Sequence, residues 1–120
     1  RGLGDVYKRQ IDEQGVFKVT MNESLAVALL TNLLKNAFVH NIDGGHIRIT
    51  VTKNGITFRN SGVEHPLNKE HIFERFYQGS KKEGSTGLGL AIADSICRLQ
   101  HLNIKYYFEQ NEHCFEISQS

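Results

Sequence analysis

The chain of 120 residues lacks most of the features that mark specialised classes of protein. It contains one proline, two cysteines and no tryptophan, and its fourteen basic residues nearly balance its thirteen acidic ones. A charge this balanced argues against a nucleic-acid partner, which needs a basic face, and against an anionic membrane surface. The length is close to the commonest domain size, so we expect one domain with one core.

No stretch of the sequence is long and apolar enough to cross a bilayer. The longest apolar run, at residues 25–34, is interrupted by Thr31 and Asn32. We also expect no secretory leader. Cys97 and Cys114 have neither CxxC nor zinc-ligand spacing. Two reduced thiols in a cytosolic protein are therefore the simplest interpretation.

The first ten residues show no periodicity and lead into no pattern. Residues 5–10, Asp-Val-Tyr-Lys-Arg-Gln, are also what one reading frame of a common sequencing-library transposon end encodes. We therefore interpret 1–10 as a non-native leader and 11–120 as the domain, and we predict that residues 1–10 do not pack. On this interpretation the natural protein continues upstream.

The first half of the chain predicts a strand, a helix and a hairpin. Residues 16–19 alternate as a short strand, and Thr20-x-x-Glu23 has the spacing of a capping box for a helix at about 23–40. Residues 46–52 alternate, and Asn54-Gly55 predicts a two-residue turn into a return strand at 56–59.

The second half predicts a loop, a helix and another hairpin. Pro66 suits the first turn of a short helical piece, and the glycine, serine and charge of residues 78–86 predict a mobile loop. Strands around 104–108 and 113–117 alternate and meet at Asn111-Glu112. Because most strands join through short turns and show one apolar face, we predict a two-layer α/β sandwich. Its sheet is mixed and mostly antiparallel, with helices on one side.

The stretch 84–92, Gly-Ser-Thr-Gly-Leu-Gly-Leu-Ala-Ile, joins the loop to a helix predicted at 87–101. A helix that begins directly after glycines presents unpaired N–H groups and a positive dipole end, and both attract phosphate. Glycine also lets the backbone approach an anion closely. Taken alone, however, such a motif is more often a simple turn.

Three polar residues follow one face of the first predicted helix, beside its apolar stripe. Asn32, Asn36 and His40 are spaced at i, i+4 and i+8. Asparagine is a poor helix former, because its side chain competes for nearby backbone groups. A solvated polar face would explain one such residue, but two with a histidine favour a binding site.

Together these motifs resemble the ATP-binding domain of sensor histidine kinases, a member of the GHKL superfamily. Residues 32–40 are similar to its N box, residues 72–77 (Ile-Phe-Glu-Arg-Phe-Tyr) to its F box, and residues 84–90 to its second glycine box. The similarity covers about residues 16–118. It implies the Bergerat-type sandwich shared with gyrase, heat-shock chaperones and mismatch-repair ATPases.

The resemblance implies ATP and Mg²⁺ as cofactors. Asn36 would give Mg²⁺ an oxygen ligand, and Asn32 would support the ion directly or through water, as suits a hard cation that prefers oxygen. His40 would border the ribose and phosphates. The phosphates would be held by the backbone around the second glycine box, at Ser85, Thr86, Gly87, Leu88 and Gly89.

Asn60-Ser61-Gly62 lies where the family has its first glycine box, usually Asp-x-Gly-x-Gly. The family's aspartate accepts a hydrogen bond from the adenine amine. Here Asn60 replaces it, keeping an acceptor oxygen without the charge, and Glu64 replaces the second glycine. We therefore expect adenine recognition to be weaker or more dependent on water.

Residues 63–86 would form the lid over the nucleotide, with Phe73 and Phe76 anchoring it. The cationic candidates for the terminal phosphate are Arg75, Lys81 and Lys82. The two lysines are equally well explained as solvated loop charge.

Asn32 also bears on the reaction. Relatives that hydrolyse ATP or phosphorylate serine resemble one another in carrying a general-base Glu at this position, and an amide cannot accept a proton near neutral pH. A neutral imidazole is already nucleophilic, so a histidine-directed kinase needs no such base. The resemblance therefore implies a protein-histidine kinase that acts by positioning and charge neutralisation, with Asn32, Asn36 and Arg75 at its centre.

The implied partners are a helical dimerisation domain that carries the acceptor histidine, absent from this chain, and a response regulator. His101 and His113 lie on a helix end and a strand, so we interpret both as structural. We expect the chain to bind ATP–Mg²⁺ without phosphorylating itself, as the cytoplasmic domain of a bacterial sensor whose membrane anchor, if any, lies elsewhere. The alternative is a degenerate nucleotide-binding module that only transmits signals. A dinucleotide-binding enzyme is excluded, because GxxGxG is not the GxGxxG fingerprint.

Overall fold

The computed structural model describes residues 8–39, 45–62, 66–74 and 88–119. Within these ranges the elements follow the order β1-α1-β2-β3-α2-β4-β5. The helices are α1 (Glu23–Val39) and α2 (Gly89–Leu99). The strands are β1 (Lys8–Glu13), β2 (His46–Thr52), β3 (Gly55–Asn60), β4 (Leu102–Glu109) and β5 (Glu112–Gln119).

The strands form one sheet in the order β1-β2-β3-β5-β4. β1 runs parallel to β2, and the three other pairings are antiparallel. The prediction of a mixed, mostly antiparallel sheet is therefore confirmed.

The helices cover one face of this sheet, here called the inner face. One cross-strand row on it consists of Ile49, Phe58, Phe115 and Tyr106, and these residues pack with the buried Leu33 of α1. α1 lies over β3, α2 lies over β4, and the two helices pack against each other. Burial of such side chains contributes roughly 1.5–3 kcal/mol each. The predicted two-layer α/β sandwich is confirmed.

The opposite, outer face of the sheet is polar. Arg59 donates to Thr50 Oγ1 at 3.2 Å, and the Tyr107 hydroxyl donates to Glu116 Oε1 at 3.0 Å. Burial, followed by that hydrogen bond, raises the pKa of Tyr107 to about 12. Cys114 also lies on this face.

The two cysteines are free thiols. Cys97 is buried in α2, where desolvation raises its thiol pKa to about 11, and burial raises the pKa of Cys114 in β5 as well. Both thiols therefore stay protonated and unreactive at neutral pH.

The helix α1 matches the predicted range but not the predicted cap. Asn22 caps it, because the Asn22 Oδ1 accepts from the Leu25 N–H at 3.1 Å and the Asn22 carbonyl accepts from the Ala26 N–H at 2.9 Å. The prediction of a capping box that starts at Thr20 is wrong, because the observed cap lies two residues later. Neither α1 nor α2 is both long and apolar enough to cross a membrane.

The first strand lies at 8–13, so the prediction of a strand at 16–19 is wrong. Phe17 and Val19 do pack against the core, which explains the alternation. Their segment is not a strand of the sheet; the Lys18 carbonyl accepts a side-chain bond from Gln119 Nε2 at 3.0 Å.

The expected absence of packing is wrong for residues 8–10, because they pair with residues 46–48 in the sheet. This pairing uses backbone groups that any sequence supplies, and the Arg9 and Gln10 side chains stay exposed. Residues 1–7 lie outside the described ranges. The non-native origin of residues 1–10 stays a prediction.

Both hairpin turns lie one residue earlier than predicted. Lys53-Asn54 connects β2 to β3, and Gly55 already pairs with Thr52. Glycine at position 55 serves the sheet, since a Cβ there would lie 2.2 Å from the Ile117 carbonyl oxygen. The last turn is Gln110-Asn111, with both φ angles positive at 52° and 60°, as a type I′ turn requires.

Two predicted helical pieces are shorter than expected. Residues 68–74 form two successive turns, with the His71 N–H bonded to the Asn68 carbonyl and the Glu74 N–H to the His71 carbonyl. α2 ends at Leu99 rather than at residue 101, because His101 adopts a left-handed φ of 58°.

The observed cap gives a direct test of how α1 begins. We expect Asn22→Ala to lower the free energy of unfolding by about 1 kcal/mol, because the Leu25 N–H loses its partner. Thr20→Ala should change it by less than about 0.5 kcal/mol. Urea denaturation of the two variants measures both values, and a larger loss for Thr20→Ala would restore the capping box.

Candidate functional site

The described parts of the two predicted nucleotide motifs, residues 32–39 and 88–90, lie on α1 and at the start of α2, and these two helices pack against each other. Asn32 donates from Nδ2 to the Ala28 carbonyl of its own helix at 2.8 Å. The Asn32 Oδ1 therefore faces α2, where a Cβ at position 89 would lie only 3.2 Å away. Gly89 thus allows the first turn of α2 to lie directly against the amide of Asn32.

The start of α2 has no side-chain cap. Its N-cap residue is Leu88, which offers no side-chain acceptor, and no acidic residue lies in the first turn. The helix therefore begins with backbone N–H groups that no side chain of its cap satisfies and with a positive dipole end. This is the environment expected for a phosphate group.

Asn36 lies one turn after Asn32 on α1 and is half-buried. The neighbouring Ala37 is buried in the core. The structure thus places two amides in register along α1, as the spacing predicts.

Asn60 ends β3 with its side chain on the inner face and is only 2% exposed. The Asn60 Nδ2 donates to the Ser61 carbonyl at 2.7 Å, whereas its Oδ1 is buried without a hydrogen-bond partner among the described residues. A buried oxygen left in this state costs about 1–3 kcal/mol. Asn60 Oδ1 is therefore ready to accept from a ligand.

The residues around Asn60 hold this strand end from the outer side. The Ser61 N–H donates to the His46 carbonyl at 3.2 Å, and the His46 N–H donates to Ser61 Oγ at 2.9 Å. Glu112, 5% exposed, lies 2.6 Å from His46 Nε2 and accepts from Arg48 at 2.8 Å. Gly62, which follows, is buried.

The segment 66–74 rests on the inner face of the sheet. Ile72 is fully buried, and the ring of Phe73 meets that of Phe115 edge-on, with centroids 6.3 Å apart. The Leu67 N–H donates to the Tyr106 hydroxyl at 2.9 Å. Phe73 therefore anchors this segment, as predicted.

The remaining predicted site residues lie outside the described ranges: His40, Glu64, Arg75, Phe76, Lys81, Lys82, Ser85, Thr86 and Gly87. Among the described ones, Asn32 and Gly89 lie close together, since a Cβ added at position 89 would be 3.2 Å from the Asn32 Oδ1. Asn60 belongs to a separate strand end.

The sequence analysis missed the side chains that support Asn60. Glu112 was interpreted as a turn residue and His113 only as part of a strand. Alternation along β5 places these neighbours on opposite faces, which was readable from the sequence. The partners of these side chains could not be predicted from the sequence; His46, for example, lies 66 residues from Glu112.

Comparison with known proteins identifies the family of this chain. The family model of the histidine kinase-, DNA gyrase B-, and HSP90-like ATPases matches residues 21–118. The chain is 44% identical over 84 residues to the sensor histidine kinase RppB of Synechocystis sp., which covers 62% of the chain and 18% of that protein.

A second relative is the heme sensor protein HssS of Staphylococcus aureus, 40% identical over 90 residues, or 71% of the chain and 20% of that protein. The chain thus spans about one fifth of the length of these relatives.

Solved structures share the fold. The nucleotide-free catalytic domain of the histidine kinase ThkA superposes with a TM-score of 0.80 at 24% identity, covering 92% of this chain and 76% of that one. The histidine kinase AdeS of Acinetobacter baumannii gives a TM-score of 0.69 at 20% identity, with coverage of 95% and 54%. Because the family model matches residues 21–118, the chain belongs to the family of histidine kinase-, DNA gyrase B- and HSP90-like ATPases.

Proposed function

We propose that this chain is the ATP–Mg²⁺-binding catalytic domain of a two-component sensor histidine kinase. It would donate the γ-phosphate of ATP to a histidine on a dimerisation domain outside this chain. The observation that carries the proposal is the position of the Asn32 Oδ1, which lies 3.2 Å from where a Cβ at position 89 would be, in the first turn of α2. The N-cap residue Leu88 makes no side-chain cap bond there. An amide oxygen thus lies next to a phosphate-attracting helix end.

The amide of Asn32 favours histidine as the phosphate acceptor. An amide cannot act as a general base, and here its nitrogen is already committed to the Ala28 carbonyl. Serine or water would need such a base, whereas a neutral imidazole attacks without one. The chain's own contribution is then to orient the nucleotide and to stabilise charge with fixed donors.

The donor set on α1 fits Mg²⁺. Asn36 and Asn32 are amides that offer oxygen, the atom that this hard cation prefers, and Asn32 turns its oxygen toward α2. We assign Asn36 as the protein ligand and Asn32 as a supporting one. When bound, the ion would neutralise phosphate charge.

Asn60 would recognise adenine. Its nitrogen bonds the Ser61 carbonyl and its buried oxygen has no partner among the described residues, which leaves that oxygen to accept from the adenine amine. Guanine carries a carbonyl at the corresponding position, which would repel it. The substitution of asparagine for aspartate therefore keeps the selectivity for adenine.

The other residues keep the roles that the family resemblance assigns. His40 would border the ribose, Arg75 would meet the terminal phosphate, and Gly62 would lie beside the base. Lys81 and Lys82 are further cationic candidates. The backbone of Ser85, Thr86, Gly87, Leu88 and Gly89 would hold the phosphates.

The whole protein would act as a cytoplasmic kinase module with two partners. One is its own helical dimerisation domain, and the other is a response regulator that takes the phosphoryl group onward. Relatives of which the matching region forms about one fifth leave room for such further domains and support this arrangement.

A second candidate function is a nucleotide-binding module without kinase chemistry. The replacement of the family's aspartate by Asn60 favours it. Phosphoryl transfer to the dimerisation domain separates the two functions.

We expect Asn36→Ala to weaken ATP binding in Mg²⁺ by about tenfold or more, the scale seen when a group supporting a metal is lost. In EDTA the variant and the wild type should bind equally weakly. Isothermal titration calorimetry measures both conditions. The exposed neighbour Lys35→Ala is the matched control, and a loss that persists in EDTA would contradict the metal role.

Asn60→Ala should weaken ATP binding by about tenfold and abolish the preference for ATP over GTP, because the proposed acceptor of the adenine amine is removed. Asn60→Asp should keep the preference while lowering the melting temperature, since a second acceptor then faces the Ser61 carbonyl. Competition binding with both nucleotides, with thermal unfolding alongside, distinguishes these outcomes. A retained preference in Asn60→Ala would remove Asn60 from the base site.

The chain alone should bind ATP–Mg²⁺ but incorporate no phosphate. His46 and His71 are paired with Glu112 and Glu74, and His113 is buried against Tyr106. Addition of the helical dimerisation domain of the natural protein should produce acid-labile phosphohistidine on that domain, measured with radiolabelled ATP. Label on the chain itself would refute this assignment, and binding without any transfer would favour the signalling module.

A further inference from the structure

A series of hydrogen-bonded buried polar groups lies among the apolar side chains of the inner face. Tyr106 and His113 are each 4% exposed, and the Tyr106 hydroxyl lies 2.8 Å from His113 Nδ1. The same hydroxyl accepts the Leu67 N–H at 2.9 Å. One hydroxyl therefore joins β4, β5 and the segment 66–74.

This series of polar groups ends beside Asn60, the proposed base-binding residue. His113 pairs with Asn60 in the β3–β5 register, and both side chains lie on the inner face. The imidazole stacks on Tyr106, with centroids 5.9 Å apart and planes 21° from parallel, and contacts Phe108 at 4.8 Å. Its ring is thus fixed on two sides next to Asn60.

Stability alone does not require these polar groups. An apolar pair would fill the same volume, whereas buried polar groups must be hydrogen-bonded to avoid a cost. The arrangement instead fixes one geometry: the backbone at Leu67 stays at a set distance from the strand pair that carries Asn60.

We propose that Tyr106 and His113 are positioning residues of the nucleotide site, which hold the segment 66–74 against the base-binding end of β3. The inference rests on the proposed function and names the residues that set the geometry of its base end. Neither side chain belongs to the family motifs found in the sequence.

Tyr106→Phe tests the proposal, because it removes one hydroxyl and keeps the ring. Tyr107→Phe is the matched control: its neighbouring hydroxyl bonds Glu116 on the outer face. We expect Tyr106→Phe to weaken ATP binding by about fivefold, the scale of one neutral hydrogen bond. Tyr107→Phe should leave the affinity unchanged.

Two further readouts separate positioning from general destabilisation. Inorganic tripolyphosphate has no nucleobase, so wild type and Tyr106→Phe should bind it with equal affinity. A general loss of structure would instead weaken the binding of both ATP and tripolyphosphate. Hydrogen exchange should show faster exchange of the Leu67 amide in Tyr106→Phe only.

Equal ATP affinity in Tyr106→Phe and wild type would overturn the proposal. So would a loss of tripolyphosphate affinity in Tyr106→Phe as large as its loss of ATP affinity. His113→Phe, which keeps an aromatic ring but removes Nδ1, should reproduce the base-dependent loss. A wild-type chain that binds no ATP would refute the proposed function itself, a result distinct from either of these.

Discussion

The arrangement of this domain depends on how closely α2 approaches α1. Any other side chain at position 89 would place its Cβ 3.2 Å from the Asn32 oxygen, so the Asn32 amide would have to shift by a few tenths of an ångström. The first backbone N–H groups of α2 lie beside that amide. The cap residue Leu88 provides no side-chain acceptor for them. An oxygen suited to a cation and N–H groups suited to an anion thus lie together, as an ion bound to phosphates requires.

The replacement of the family's aspartate is coupled to the backbone around it. The Asn60 nitrogen bonds the Ser61 carbonyl at 2.7 Å, where a carboxylate would bring a second acceptor. Reciprocal bonds between Ser61 and His46 hold that strand end in place. The Asn60 amide nitrogen therefore bonds the neighbouring backbone carbonyl, and the amide oxygen remains as an acceptor on the inner face.

The sequence predicted the layers, the sheet type and the position of α1, because alternation and helical spacing report burial directly. The prediction from sequence failed where a side chain is buried but its backbone does not pair with a strand. Phe17 and Val19 are partly buried without belonging to a strand. It also missed the cap at Asn22 and both turns by one or two residues, since several nearby polar residues suit such positions. The support around Asn60 was beyond prediction, because Glu112 and Tyr106 act through partners distant in sequence.

The end of β3 is held from both sides by two consecutive residues of β5. Glu112 reaches His46 and Arg48 on the outer face, and His113 meets Tyr106 on the inner face. A slip of one residue in the β3–β5 register would exchange these faces and place a carboxylate in the apolar core. The turn with two positive φ angles before Glu112 fixes the β4–β5 register, and the two different side chains make the alternative β3–β5 register costly. The geometry at Asn60 is therefore set by a hairpin that carries none of the family's nucleotide motifs.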